Sequence, residues 1–112
     1  MFSKKYRLSV KEFENTIKKG KSYSSKFFFL KLLKNNYGVI KIGVAVSKKL
    51  APKSAQKNYY KRILRHLLKE SCPKTSVHYN VILTAKENIK NVKFNDLKQD
   101  AIELLQKTEL HK

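Results

Sequence analysis

Between Lys57 and Lys69 the chain carries Lys57, Asn58, Lys61, Arg62, Arg65 and Lys69, a spacing of three or four residues that keeps returning to one side of an α-helix. At about 100° of rotation per residue, with Lys57 at zero, Lys61 falls near 40°, Arg65 near 80°, Asn58 near 100°, Lys69 near 120° and Arg62 near 140°. Ala55, Tyr59, Tyr60, Ile63, Leu64 and Leu67 take the opposite side, as in a helix docked on a sheet. Cations on such a face lie about 6 Å apart along the axis, close to the separation of phosphates, and each Arg can direct two N–H donors at one phosphate. From Ser47 to Glu70 there are eight Lys or Arg and one acid, Glu70. Faces that meet only water intersperse the two signs, so this segregation points to a polyanion. The chemistry is phosphate neutralisation, which positions a nucleic acid without reading its sequence.

A second set of residues suits unpaired bases. Phe13 and Ile17 stand four apart, and Phe27, Phe29 and Lys31 alternate. Aromatic faces in a positive groove bind single-stranded RNA by stacking, at about 1–3 kcal/mol per base. Phe28 and Leu30 occupy the other strand face, one of the two faces must be core, and the pattern leaves open which. Hydrolysis of a phosphodiester by protein groups alone would need clustered carboxylates for a metal ion or a pair of His. Neither spacing occurs. Asp96, Asp100 and Glu103 read as helix-dipole and solubility residues, His66 as a polar contact, and the lone Cys72 as a structural thiol with neither disulfide nor zinc spacing.

These residues need elements to hold them. A chain of 112 residues suits one domain spanning 1–112 with one core, and 26 Lys and Arg against eight acids leave a net charge of +18. No apolar run reaches membrane-spanning length, since Phe27-Phe28-Phe29-Leu30 gives way to Lys31, and the basic N-terminus lacks an apolar signal region. A cytoplasmic protein without a membrane partner is expected. Ser9 and Glu12 form a capping box ahead of a helix over 10–19 that stops at Gly20. Two apolar stretches, 23–33 and 38–47, flank the turn residues Asn35-Asn36-Tyr37-Gly38 and predict an antiparallel hairpin. Ser54 is placed to cap a helix over 55–70, a half-buried strand is expected over 77–85, and Asn95 is placed to cap a helix over 96–107. The order α-β-β-α-β-α predicts an α+β sandwich.

Val46-Ser47-Lys48-Lys49, then Ala55, then Lys57-Asn58-Tyr59-Tyr60-Lys61-Arg62-Ile63-Leu64-Arg65 resemble the signature of the bacterial ribonuclease P protein family, a Val-Ser-Lys-Lys strand end followed by an Arg-Asn-x-x-Lys-Arg-x-x-Arg helix. Arg7-Leu8, Phe13, Gly20 and Lys41-Ile42-Gly43 fit the same pattern, and the likeness runs from Arg7 to Leu105. The chain departs from it at Lys57, where Arg is usual, at His66, where Glu often stands, and at Lys31, where some members carry a cleft Tyr. The first change keeps the charge and loses the bidentate fork, and the last removes a stacking ring.

The resemblance implies an α-β-β-β-α-β-α sandwich like the second domain of a small-subunit ribosomal protein. Its basic helix would sit in a left-handed β-α-β crossover, with one strand more than the pattern above supplies. It also implies the protein subunit of an endoribonuclease that matures the 5′ end of tRNA and whose catalytic centre lies in RNA. Lys48, Lys49, Lys53, Lys57, Asn58, Lys61, Arg62 and Arg65 would face ribonuclease P RNA. Phe13, Ile17, Phe27, Phe29 and Lys31 would line a cleft for the 5′ leader of precursor tRNA. Mg²⁺ would be bound mainly by the RNA, and the protein would be monomeric before assembly. Composition alone also admits a structural RNA-binding protein such as a small ribosomal protein. A protein-only nuclease is disfavoured for want of an acid cluster.

Overall fold

The computed structural model describes residues 7–35, 40–47, 49–71 and 79–108. Lys48, Cys72, Val77 and the predicted turn residues Asn36, Tyr37 and Gly38 lie outside them. The first helix, α1, is Val10–Lys19. Its capping box forms as the sequence predicts: Glu12 N–H donates to Ser9 Oγ at 3.2 Å and Ser9 N–H donates to Glu12 Oε1 at 2.9 Å. Gly20 ends the helix, where a Cβ would lie 2.5 Å from the Thr16 carbonyl oxygen and 2.9 Å from that of Leu32.

The stretch expected as one strand is two, β1 (Lys21–Ser24) and β2 (Phe28–Lys34), paired antiparallel with Tyr23 opposite Leu30. What divides them is remote in sequence. The Asp100 carboxylate accepts from Ser25 Oγ at 2.6 Å and from the Phe27 N–H at 2.9 Å, and Ser25 Oγ accepts from the Phe28 N–H at 3.2 Å. Asp100 is therefore the acceptor that closes a tight turn, beyond the dipole and solubility role its sequence position suggests.

The chain continues as β3 (Lys41–Val46), α2 (Ser54–Ser71), β4 (Tyr79–Ala85), a 3₁₀ turn (Glu87–Ile89) and α3 (Phe94–Gln106). The sheet order is β1-β2-β4-β3. The four-stranded α-β-β-β-α-β-α order agrees with the resemblance, and the three-strand pattern is superseded. The predicted hairpin between β2 and β3 does not form, because β4 lies between them, antiparallel to β2 and parallel to β3. The reason is burial. Asn80, Val81, Ile82 and Leu83 are all buried, so β4 is covered on both faces and belongs in the centre of a sheet, where the sequence suggests a half-buried strand. α2 is thus the crossover of a parallel β3–α2–β4 unit.

One sheet face, with Phe28, Leu30, Leu32, Ile42, Val81 and Leu83, packs on Leu64, Leu67 and Leu68 of α2 and on Leu97, Ala101, Leu104 and Leu105 of α3. The helix ends differ slightly from expectation. Ser54 is the first residue of α2 and not its cap, and the Lys53 N–H donates to Gln56 Oε1 at 3.3 Å. α3 begins two residues early, behind Lys93, so Asn95 is inside the helix.

α1 lies across the other face. Phe13 packs on Gly43 of β3, where a Cβ would come within 2.8 Å of the ring. Asn80 Nδ2 of β4 donates to Thr16 Oγ1 at 3.1 Å, and Gly20 meets the Leu32 carbonyl of β2. Among the described residues no helix is long and apolar enough to cross a membrane.

Replacing Asp100 with Ala strands the Ser25 hydroxyl and the Phe27 N–H, so urea unfolding should show a loss of about 1–3 kcal/mol. A loss below about 0.5 kcal/mol would mean that the β1–β2 turn holds without the carboxylate.

Candidate RNA interface

α2 is anchored by Leu64, Leu67 and Leu68, which are almost completely buried, and this fixes what the helix turns outward. Asn58, Arg62 and Lys69 are exposed, as are Lys49 and Lys53 before the helix, while Lys57, Lys61 and Arg65 are half-buried along its flank. The predicted basic face is therefore presented by a helix that cannot rotate without exposing three leucines. Its one acid does not neutralise it. Glu70 Oε1 lies 3.1 Å from His66 Nε2 and Glu70 Oε2 lies 3.2 Å from Lys98 Nζ. His66, whose ring also sits 5.5 Å from that of Phe94, helps join α2 to α3.

Two residues placed on the buried side by the helical pattern are outside. Ala55 is exposed and Tyr59 is 59% exposed, its ring 5.3 Å from Tyr60 in an edge-on arrangement. The inward arc is centred on Leu64, Leu67 and Leu68 and is narrower than the apolar sequence pattern suggests. Tyr59 adds a free aromatic face beside Asn58 and Arg62. Its adjacency to Asn58 is the only signal in the sequence.

The uncovered half of the sheet's second face forms a trough beside α1. Ile17 from the helix and Phe29, Lys31, Ile82 and Thr84 from the sheet line its middle. Ile17 is 45% exposed and Phe29 51%. At one side Phe29 continues into a surface lined by Ser47, Thr84 and Lys86, and Lys86 Nζ sits 4.6 Å from the centre of the Phe29 ring. Phe29 and Thr84 are register partners across β2 and β4, a pairing that sequence spacing does not display. Ile82, Thr84 and Lys86 line the trough without having been singled out in the sequence.

Phe27 does not belong to the trough. It is 8% exposed, sits one residue before β2 begins and packs in the core beside α3, because the Asp100 bond to its N–H turns the chain there and breaks the strand alternation. Ile17, Phe29 and Lys31 line the trough together, and Phe13 sits one helical turn before Ile17, over Gly43. Lys48 lies outside the described residues.

Arg65 reaches the α1 side of the sheet at β3, where it lines one pocket with Phe13, Gly43 and Val44. Phe13 stands one turn of α1 before the trough residue Ile17, and Gly43 is the register partner of the trough residue Ile82. Partial burial, and then the charge of Arg7, lower the Arg65 pKa from its ordinary value.

A sequence-family model described as Ribonuclease P matches residues 2–109. The chain belongs to the ribonuclease P protein family. The ribonuclease P protein component of Clostridium botulinum strain 657 is 31% identical over 102 residues, covering 90% of this chain and 91% of that protein. The ribonuclease P protein component of Natranaerobius thermophilus is 27% identical over 99 residues, covering 88% and 85%. Among solved structures, the RNase P protein from Thermotoga maritima matches with a TM-score of 0.78 at 22% identity, over 92% of this chain and 97% of that one. The Staphylococcus aureus RNase P protein matches with a TM-score of 0.78 at 23% identity, over 96% and 98%. The fold is theirs. As a ribonuclease P protein the chain is a subunit that works with the enzyme's RNA in the 5′ maturation of tRNA.

The core and trough phenylalanines are separable by stability. Phe27→Ala should cost about 3–5 kcal/mol in urea unfolding, whereas Phe29→Ala should cost less than about 1 kcal/mol, much of it the contact with Lys86. Equal losses would contradict the assignment of Phe27 to the core and Phe29 to the trough.

Proposed function

We propose that this chain binds ribonuclease P RNA through the outward face of α2 and the 5′ leader of precursor tRNA in the trough beside α1, leaving phosphodiester cleavage to the RNA. The observation that carries this reading is the coexistence, on one small body, of a cationic helix face without acids and an open aromatic trough. A folded RNA presents closely spaced phosphates, and Lys53, Lys57, Lys61 and Arg62, with Lys48 and Lys49 before them, supply neutralising charge without sequence readout. A single strand presents unstacked bases. Phe29 offers an exposed ring capped by a cation, and Ile17 lines the same trough from α1, with Phe13 one helical turn before it. Lys31 stands in the trough as a phosphate partner and not as a stacking ring.

Mg²⁺ enters this reading as an ion held by RNA phosphates, where it would neutralise charge developing on the scissile group. The chain's own residues do not fit the ion: among the described residues no three His, Cys, Asp or Glu side chains converge. Asp100, in the middle of the acidic face of α3, is occupied with Ser25 and Phe27. The chain's contribution is to hold two RNAs in register and lower the cation concentration they need. We take it to be a cytoplasmic monomer before assembly.

Reconstitution tests the reading. At low Mg²⁺ the purified chain with bacterial ribonuclease P RNA should accelerate removal of the leader from precursor tRNA at least tenfold, and the chain alone should cleave nothing. No acceleration with a cognate RNA, or cleavage by the chain alone, would overturn it.

A further inference from the structure

Arg7 precedes α1 and Arg65 lies within α2, yet both line one pocket at the β3 edge of the sheet, walled by Leu8, Phe13, Ile42 and Val44. Arg7 is held there by backbone. It bridges Ile42 in parallel register, and the Leu8 N–H donates to the Ile42 carbonyl at 2.9 Å. Neither guanidinium has a carboxylate partner among the described residues. The acid of α2, Glu70, is taken by His66 and Lys98, and Glu12 is engaged in the cap of α1. Burial and the neighbouring like charge both disfavour the protonated form of Arg65. Two cations set against apolar walls without a counter-charge repel one another, and an anion between them turns that repulsion into attraction to both.

Arg65 also differs from Arg62. Arg62 is exposed on the outward face, whereas Arg65 is half-buried and shares its pocket with Phe13, one turn of α1 before the trough residue Ile17.

We propose that Arg7 and Arg65 form one phosphate site at the junction of the α2 face and the trough, and that it holds a backbone phosphate of the single strand entering beside Phe13. This rests on the reading that the trough takes single-stranded RNA. It reassigns Arg65 from the folded-RNA surface to the substrate strand and makes Arg7 a substrate-binding residue. Because each Arg can offer a fork of two donors, the pair can surround the non-bridging oxygens of one phosphodiester. A phosphate fixed here would set the register in which the next bases reach Phe29.

Inorganic phosphate added to the full-length chain is the first probe, followed through the guanidinium Nε–H resonances of each Arg by NMR. Arg7 and Arg65 should shift together along one saturable curve, with Arg62 responding weakly and without saturation. Arg7→Gln should weaken the Arg65 response about tenfold and Arg7→Lys about threefold, with the backbone spectra of both variants confirming the fold. A short single-stranded RNA is the second probe: Arg7→Gln should lower the magnitude of its salt slope by about 0.7, one phosphate contact on a single strand. If Arg65 titrates in Arg7→Gln as it does in the parent chain, or if all three Arg respond alike, the site does not exist. The phosphate titration involves no RNA. A coupled curve in a chain that fails reconstitution would uphold the site and overturn the functional reading, whereas reconstitution without a coupled curve would overturn the site alone.

Discussion

Asn80 is the buried polar residue of the central strand, second in β4, and its amide ties α1 to the sheet. Its Nδ2 donates to Thr16 Oγ1, which in turn donates to the Glu12 carbonyl, and its Oδ1 accepts from Asn35 Nδ2 at 2.7 Å. A buried amide donor left without a partner costs about 1–3 kcal/mol, so this bond favours the crossing of α1 at this point. The rest follows from that crossing. With Thr16 pinned to β4, Phe13 is carried over β3 and Gly20 over β2, and the half of the sheet containing Phe29 and Thr84 stays uncovered. The trough is the area that α1 does not cover.

The distribution of charge is organised around the same division. A net charge of +18 on 112 residues repels itself, and three of the eight acids hold elements together. Glu12 caps α1, Asp100 closes the β1–β2 turn, and Glu70 ties α2 to Lys98 of α3. Lys86 shows a finer version of this economy: it donates to the Ser25 carbonyl at the turn and covers the Phe29 ring, joining the turn's closure to the trough's platform.

Features set by neighbouring residues were legible in the sequence. The Ser9–Glu12 box located α1 to the residue, and the leucines and cations of α2 identified a docked helix with a basic face because both patterns repeat within a few turns. Features set by remote residues were not. The split between β1 and β2 depends on a carboxylate on α3, the central place of β4 depends on three helices covering both sides of the sheet, and the burial of Phe27 follows from the same Asp100 bond. Tyr59 misled for a different reason, since an aromatic residue at helical spacing looks like core whether or not the partner surface extends beneath it. The resemblance to the ribonuclease P protein family supplied the missing strand; of the residues it assigns to a cleft, Ile17, Phe29 and Lys31 line one trough and Phe27 is in the core.

The central claim is that one sheet separates two RNA-binding surfaces, with α2 on one side and the trough on the other. Site-specific photocrosslinking in the assembled complex tests it most directly. A photoreactive group attached to Arg62→Cys or to Ile17→Cys, each in a Cys72→Ser background, should label ribonuclease P RNA from position 62 and the 5′ leader of precursor tRNA from position 17. Labelling of the same RNA from both positions, or of the leader from position 62, would contradict the account.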